Sequence, residues 1–295
     1  MKRTITASAC VGTLIGLTAL VPSQALAQQN IAIIYEQPKK AEYGPILDRL
    51  RKRKVLETLQ QFLSPLQFPM TVKTAECGAP FAPYKAGGPI VICYEYVGLI
   101  ESVLPGEKDP VSPDPTTPDT LGRVGPNPVT REMATVGPFV QHVLHETALA
   151  VFDSLEVPVW GRLHDAADYS AAFLLFQFGD DIARKTISGT AYFLDQWDAA
   201  TRQGQITDVN YLGDIRPTVR QRYYNVLCIA MGKDRGFASF DLSFNRFFQC
   251  GGSVAGGATF TSDYEKVRRA FVTHILPHVD KDKLTKVQSI KWIPD

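Results

Sequence analysis

The sequence predicts an α+β fold, a small N-terminal sheet with helices followed by a mostly helical C-terminal half. Two short runs near the N-terminus, IAIIY at 31–35 and MTVKT at 70–74, alternate like half-buried strands. Apolar residues recur at helical spacing through most of the second half. One strong compositional shift, residues 106–137 with DPVSPDPTTPDT and GPNP, breaks any regular structure between the two parts.

Taken in order, residues 46–63 (ILDRLRKRKVLETLQQFL) read as one amphipathic helix between the first two strands. Residues 89–94 read as a third strand that runs into a helix through Leu104. Helices follow at 138–155, 164–178, 186–203, 217–232 and 263–276. Tyr192, Phe193 and Trp197 recur at near-helical spacing and read as core. No repeat and no linker divides the chain, so residues 28–295 read as a single domain.

The first 27 residues have the pattern of an export signal: Lys2 and Arg3, a weakly apolar run from 5 to 21, then Ala25-Leu26-Ala27 with cleavage after Ala27. The expected location is the periplasm or the exterior, with no stable membrane anchor once the signal is removed. Loss of Lys2 and Arg3 takes the formal charge from +1 to −1, a balance that argues against a nucleic-acid partner. The basic run Arg49, Arg51, Lys52, Arg53 and Lys54 is the solvated face of its helix. In an oxidising compartment the four cysteines left after cleavage read as two disulfides, Cys77 with Cys93 and Cys228 with Cys250, the pairings that close short loops. No serine nucleophile elbow is visible, and the glycine-rich CGGSVAGGATF lacks the strand-to-helix context of a phosphate cradle.

The chemistry-bearing stretch runs from His142 to Asp168. In a His-Glu-x-x-His helix, positions i and i+4 share a face, so two imidazoles hold one zinc while the intervening Glu activates its water. Here His145 and Glu146 are present, and Leu149 stands at the second histidine position. After the turn VPVWGR the chain reads His164-Asp165-Ala166-Ala167-Asp168. Glu-zincins carry Glu-x-x-Ala-Asp there, with the Glu on the metal and the Asp orienting a ligand histidine.

On these motifs, and on Ala75 to Gly78, Ile92 to Glu95 and Arg222 to Cys228, the chain resembles a bacterial family of secreted metallopeptidases of otherwise unknown function. Its members read His-Glu-x-Gly-His, a Pro-Val-x-Gly-Arg turn, then Glu-Asp-Ala-Ala-Asp. The resemblance implies a zincin-like fold in which a sheet edge strand holds extended peptide above zinc. By position, His145 is the first ligand, Glu146 the general base, Leu149 the lost second ligand, His164 the replaced third ligand and Asp168 the carboxylate behind them. The family often has a histidine shortly before its Arg-Tyr-Tyr-Asn motif; the comparable place here is Arg216-Pro217.

Positions 142 and 149 point in nearly the same direction from a helix, so His142 is the candidate replacement for the missing imidazole. A rearranged trio of His142, His145 and His164 would suit zinc, copper or nickel. Its centre would lie about 5 Å toward the helix N-terminus, leaving Glu146 outside the ligand span. The expectation is an exported homologue with a degenerate metal site that binds a peptide or protein without cleaving it. The alternative is a metallopeptidase working through the rearranged histidines.

Overall fold

The computed structural model of the chain describes residues 30–104, 129–203, 216–234, 237 and 262–288. The expected export signal at 1–27, Cys10, Cys250 and the glycine-rich run lie outside them, as do residues 105–128 of the Pro/Gly-rich stretch.

Three strands form one parallel sheet in the order β1 (Ile31–Tyr35), β2 (Met70–Ala75), β3 (Ile90–Cys93), with Ile31 opposite Met70 and Val72 opposite Ile90. Alternation places Met70, Val72 and Thr74 of β2 and Ile90 and Ile92 of β3 in the interior. The α+β layout is therefore as the sequence predicts.

Parallel neighbours force long returns, because each strand must start again at the end where its predecessor began. From β1 the return is made by two helices, α1 (Gly44–Lys52) and α2 (Val55–Leu63), in place of the single helix expected over 46–63. The buried stripe Ile46, Leu47, Leu50 would continue at positions 53 and 54, which are Arg and Lys. Breaking the helix, with Lys54 left-handed at φ 51, keeps both cations out of the core and starts a second stripe of Leu56, Leu59, Phe62 and Leu63.

From β2 to β3 the return is a strap, residues 76–89, without helix or strand. A disulfide between Cys77 and Cys93 ties its start to the end of β3. Glu95 accepts hydrogen bonds there from the Cys77 and Gly78 amides, and at the far end Tyr84 and the Gly87 amide donate to Asp153. Of the second expected bridge, Cys228 is disulfide-bonded.

Behind the sheet stand α3 (Tyr94–Val103), α4 (Arg131–Ser154), α5 (Leu163–Gln177), α6 (Asp180–Arg202) and α7 (Val219–Lys233). The α4 helix is buried all round from Gly137 to Phe152, as expected of a central helix with no solvent face. It starts seven residues before the expected Pro138, which corrects the loop boundary at 137. Thr130 caps it by accepting from the Met133 amide, and Pro138 sits inside the helix, its carbonyl taking a hydrogen bond from Tyr96.

Likewise α6 starts at Asp180 instead of Thr186. Gly179 at φ 113 turns the chain, and Asp180 and Asp181 complement the positive helix start. The helix expected over 263–276 ends at Ala270 as α8 (Asp263–Ala270), then widens to a π turn over Phe271–Ile275 and a 3-10 turn over Leu276–His278. Pro277 has no N–H to donate and crowds the carbonyl four residues back, so the α-helical path cannot continue. A short α9 (Lys281–Val287), capped by Asp280, has no counterpart in the sequence reading. Among the described residues no helix is long and apolar enough to cross a membrane.

Candidate functional site

Three helices meet at a chain of buried polar groups. On α5, Asp168 is fully buried. Arg222 of α7 grips it with Nε at 3.2 Å from Oδ2 and a terminal nitrogen at 3.0 Å from Oδ1. The same Oδ1 lies 2.7 Å from His145 Nδ1 on α4, and His145 Nε2 lies 2.9 Å from His164 Nδ1 at the start of α5. The two imidazole planes are nearly parallel, 12° apart, and the rings meet edge to edge through this contact.

One proton position follows from the partners. An ionised Asp168 can only accept, so His145 donates to it from Nδ1. Which imidazole donates across the contact between His145 Nε2 and His164 Nδ1 is set by their tautomers. Burial opposes ionisation of Asp168, yet the Arg222 guanidinium and the His145 hydrogen bond hold its carboxyl below the usual carboxylate range.

The remaining site groups are pushed toward neutrality. Burial raises the Glu146 carboxyl against the opposing pull of His145, Arg222 and Arg216. Burial, then the neighbouring positive groups, lowers His164 from 6.5 to about 4 and drives His142 well below 6.5. A histidine depressed in the fold binds its proton first in the unfolded chain, so its contribution is complete above 6.5 and fades as pH falls toward the folded value. Glu146 works in the opposite sense, since its raised carboxyl binds a proton earlier in the fold. His164, lowered to about 4, sets the scale, and His142 adds to it against Glu146: moving from about pH 7 to about pH 5 should lower unfolding stability by about 2 kcal/mol, read from urea midpoints. Unchanged midpoints would contradict neutral, buried His142 and His164.

His142 does not join the pair. Its ring packs against Tyr96 at 4.5 Å and Phe81 at 5.3 Å, and its Nδ1 is 3.8 Å from Glu146 Oε1. Leu149, the position it was expected to replace, is two turns further along α4 and lies in a separate apolar cluster with Ala148, Phe152 and Ala167. Seven residues of helix rise about 10 Å, so a shared direction does not bring two side chains to one point.

These residues do not fit a three-ligand metal centre. Among the described residues, the group of three or more potential donor atoms within 4.8 Å of one another is Cys77, Cys93 and Glu95, and its two sulfurs are joined in the disulfide. Among the described residues the histidine trio forms no such group, and His145 Nε2 is hydrogen-bonded to His164 Nδ1.

Sequence reasoning missed the groups that hold the pair in place. Asp165 and Asp168 are three apart on α5, Asn225 and Arg222 three apart on α7, and they meet as two parallel contacts, Asn225 to Asp165 at 2.8 Å and Arg222 to Asp168. That matched spacing was the available signal. Gln141 adds a long hydrogen bond from its amide to the Asp168 carbonyl. Arg216 contributes its positive charge to the site.

A His-Glu helix at the centre of an α+β fold, backed by a buried aspartate on the next helix, defines a metallopeptidase-like protein. The chain belongs to the family described as "Putative metallopeptidase", whose model matches residues 35–242. No curated protein and no solved structure is significantly similar to it. Membership suggests a metal such as zinc.

Proposed function

We propose that the protein is an exported, non-catalytic homologue of the metallopeptidases of its family, one that binds a peptide or protein segment at the site between α4 and α5. The observation that carries this is the fate of the ligand positions. Leu149 fills one with hydrocarbon at 2% exposure, and His164 replaces the carboxylate at another, its Nδ1 hydrogen-bonded to His145 Nε2. Without a metal to polarise a carbonyl or activate water, Glu146 lacks the partner that peptide hydrolysis on this scaffold requires. Export rests on the basic start, apolar run and Ala25-Leu26-Ala27 of the N-terminus; the near-neutral charge favours a peptide or protein ligand over a nucleic acid.

The test is elemental analysis together with an activity assay on the purified protein after exposure to zinc and dialysis. The expected result is substoichiometric zinc and no peptide cleavage. Near-stoichiometric zinc that disappears in both His145→Ala and His164→Ala, with cleavage abolished by a chelator and by Glu146→Ala, would establish the metallopeptidase alternative instead.

A further inference from the structure

The strap from β2 to β3 lays one side chain, Phe81, across the site. Its ring stands 5.1 Å from Tyr96, 5.3 Å from His142 and 5.8 Å from Trp197, centroid to centroid. Phe193 backs this group, edge-on to Tyr96 and 5.6 Å from Trp197. The guanidinium groups of Arg216 and Arg222 approach the Phe81 ring at 5.4 and 5.9 Å. Aromatic walls with cations over the ring form a box that recognises a flat π system by edge, face and charge.

The strap fixes Phe81 only loosely. Pins hold its two ends, at Cys77–Gly78 and at Tyr84–Gly87. Between them, among the described residues, the hydrogen bond to the body of the protein is a 3.5 Å contact from Arg216 to the Ala82 carbonyl. Gly78 at φ +76 and Gly87 at φ +66 flank the segment, with open space around each. A second observation points into the same box: His142 Nε2 is buried without a hydrogen-bond partner among the described residues, on a side chain 3% exposed. Buried polar atoms are nearly always paired, so one without a partner calls for an explanation, and an incoming ligand group is one that this location allows.

We propose that this box is the specificity subsite for an aromatic side chain of the bound peptide. Phe81 is its built-in substitute, and a polar main-chain group of the ligand pairs with His142 Nε2 once the strap lifts. This rests on the peptide-binding reading above and adds to it which side chain is selected and what stands in its place beforehand.

The test uses the full chain and N-acetyl-phenylalaninamide as probe, with N-acetyl-alaninamide as control, by calorimetry. Phe81→Ala should bind the aromatic probe about tenfold tighter than the wild type, the scale of one aromatic pair, and should not bind the alanine compound. Adding Tyr96→Ala to Phe81→Ala should remove the gain. Equal affinities in Phe81→Ala and wild type, or no preference for the aromatic probe, would overturn the proposal. If Phe81→Ala does not fold, the wild type under high probe concentration must show shifted His142 and Trp197 ring resonances, and their absence overturns it equally. Peptides that bind the wild type with no dependence on aromatic residues would sink the subsite while leaving peptide binding intact.

Discussion

Asp168→Ala should destabilise the protein by about 3–5 kcal/mol, the largest loss expected at the site. The aspartate is fully buried and answers two groups at once, the bidentate Arg222 and the His145 Nδ1–H. Removing it strands a guanidinium whose side chain is 12% exposed and leaves a buried imidazole donor unpaired. Such a penalty comes from the survivors, not from the lost carboxylate. The double variant Asp168→Ala/Arg222→Met should therefore recover much of the loss, since an apolar side chain of similar length leaves no uncompensated charge. Urea unfolding of the two variants decides it. An Asp168→Ala cost below about 1 kcal/mol would mean that water reaches Arg222, and that the clasp between α4, α5 and α7 is weaker than its geometry indicates.

The same clasp shows what can be read from a chain and what cannot. His145, Glu146, His164 and Asp168 are close in sequence and share a motif, so their association was legible, and the structure does bring His145, His164 and Asp168 together. Arg222 lies 54 residues from Asp168, and only the matched three-residue spacing on the two helices links them in the sequence. Helical phase was used correctly for His142, yet phase does not say what a ring packs against: Phe81 and Tyr96 hold that imidazole with its centroid 6.5 Å from the His145 ring. Phe81 gave no signal, because its place is set by the return path that a parallel β2–β3 pair imposes.

The fold divides in a similar way. Strands were legible because β-branched alternation reports a half-buried pleat directly. Helix ends were less so. The break at Lys54 depends on where the basic run falls relative to the buried stripe, and the early start of α4 depends on the Thr130 cap overriding the Pro- and Gly-rich surroundings.

Least legible of all is how closely α4 and α6 approach, and here the largest effect on the fold is expected. Gly189→Ala should cost about 4 kcal/mol or more, enough to remove much of the roughly 5–15 kcal/mol that holds a typical domain together. A Cβ on Gly189 would stand 1.8 Å from the Met133 carbonyl oxygen and 2.3 Å from its carbon. Both are backbone atoms, so no side-chain rotation can make room. The contact is reciprocal: a Cβ on Gly137 of α4 would meet the Thr186 carbonyl of α6 at 2.6 Å. Two glycines thus let the helix axes pass closer than any Cβ permits, in the manner of small-residue crossings. Because α4 also carries His142, His145 and Glu146, forcing α6 away would disturb the site along with the core. Gly98→Ala in α3 is the control, with nothing within 4 Å of its added methyl. There the better helix propensity of alanine should leave stability unchanged or raise it by about 0.5–1 kcal/mol. Denaturant midpoints for the two variants should move in opposite directions or at least differ widely. Similar midpoints would show that α4 and α6 separate at little cost and that the close crossing is not what holds the site helix in place.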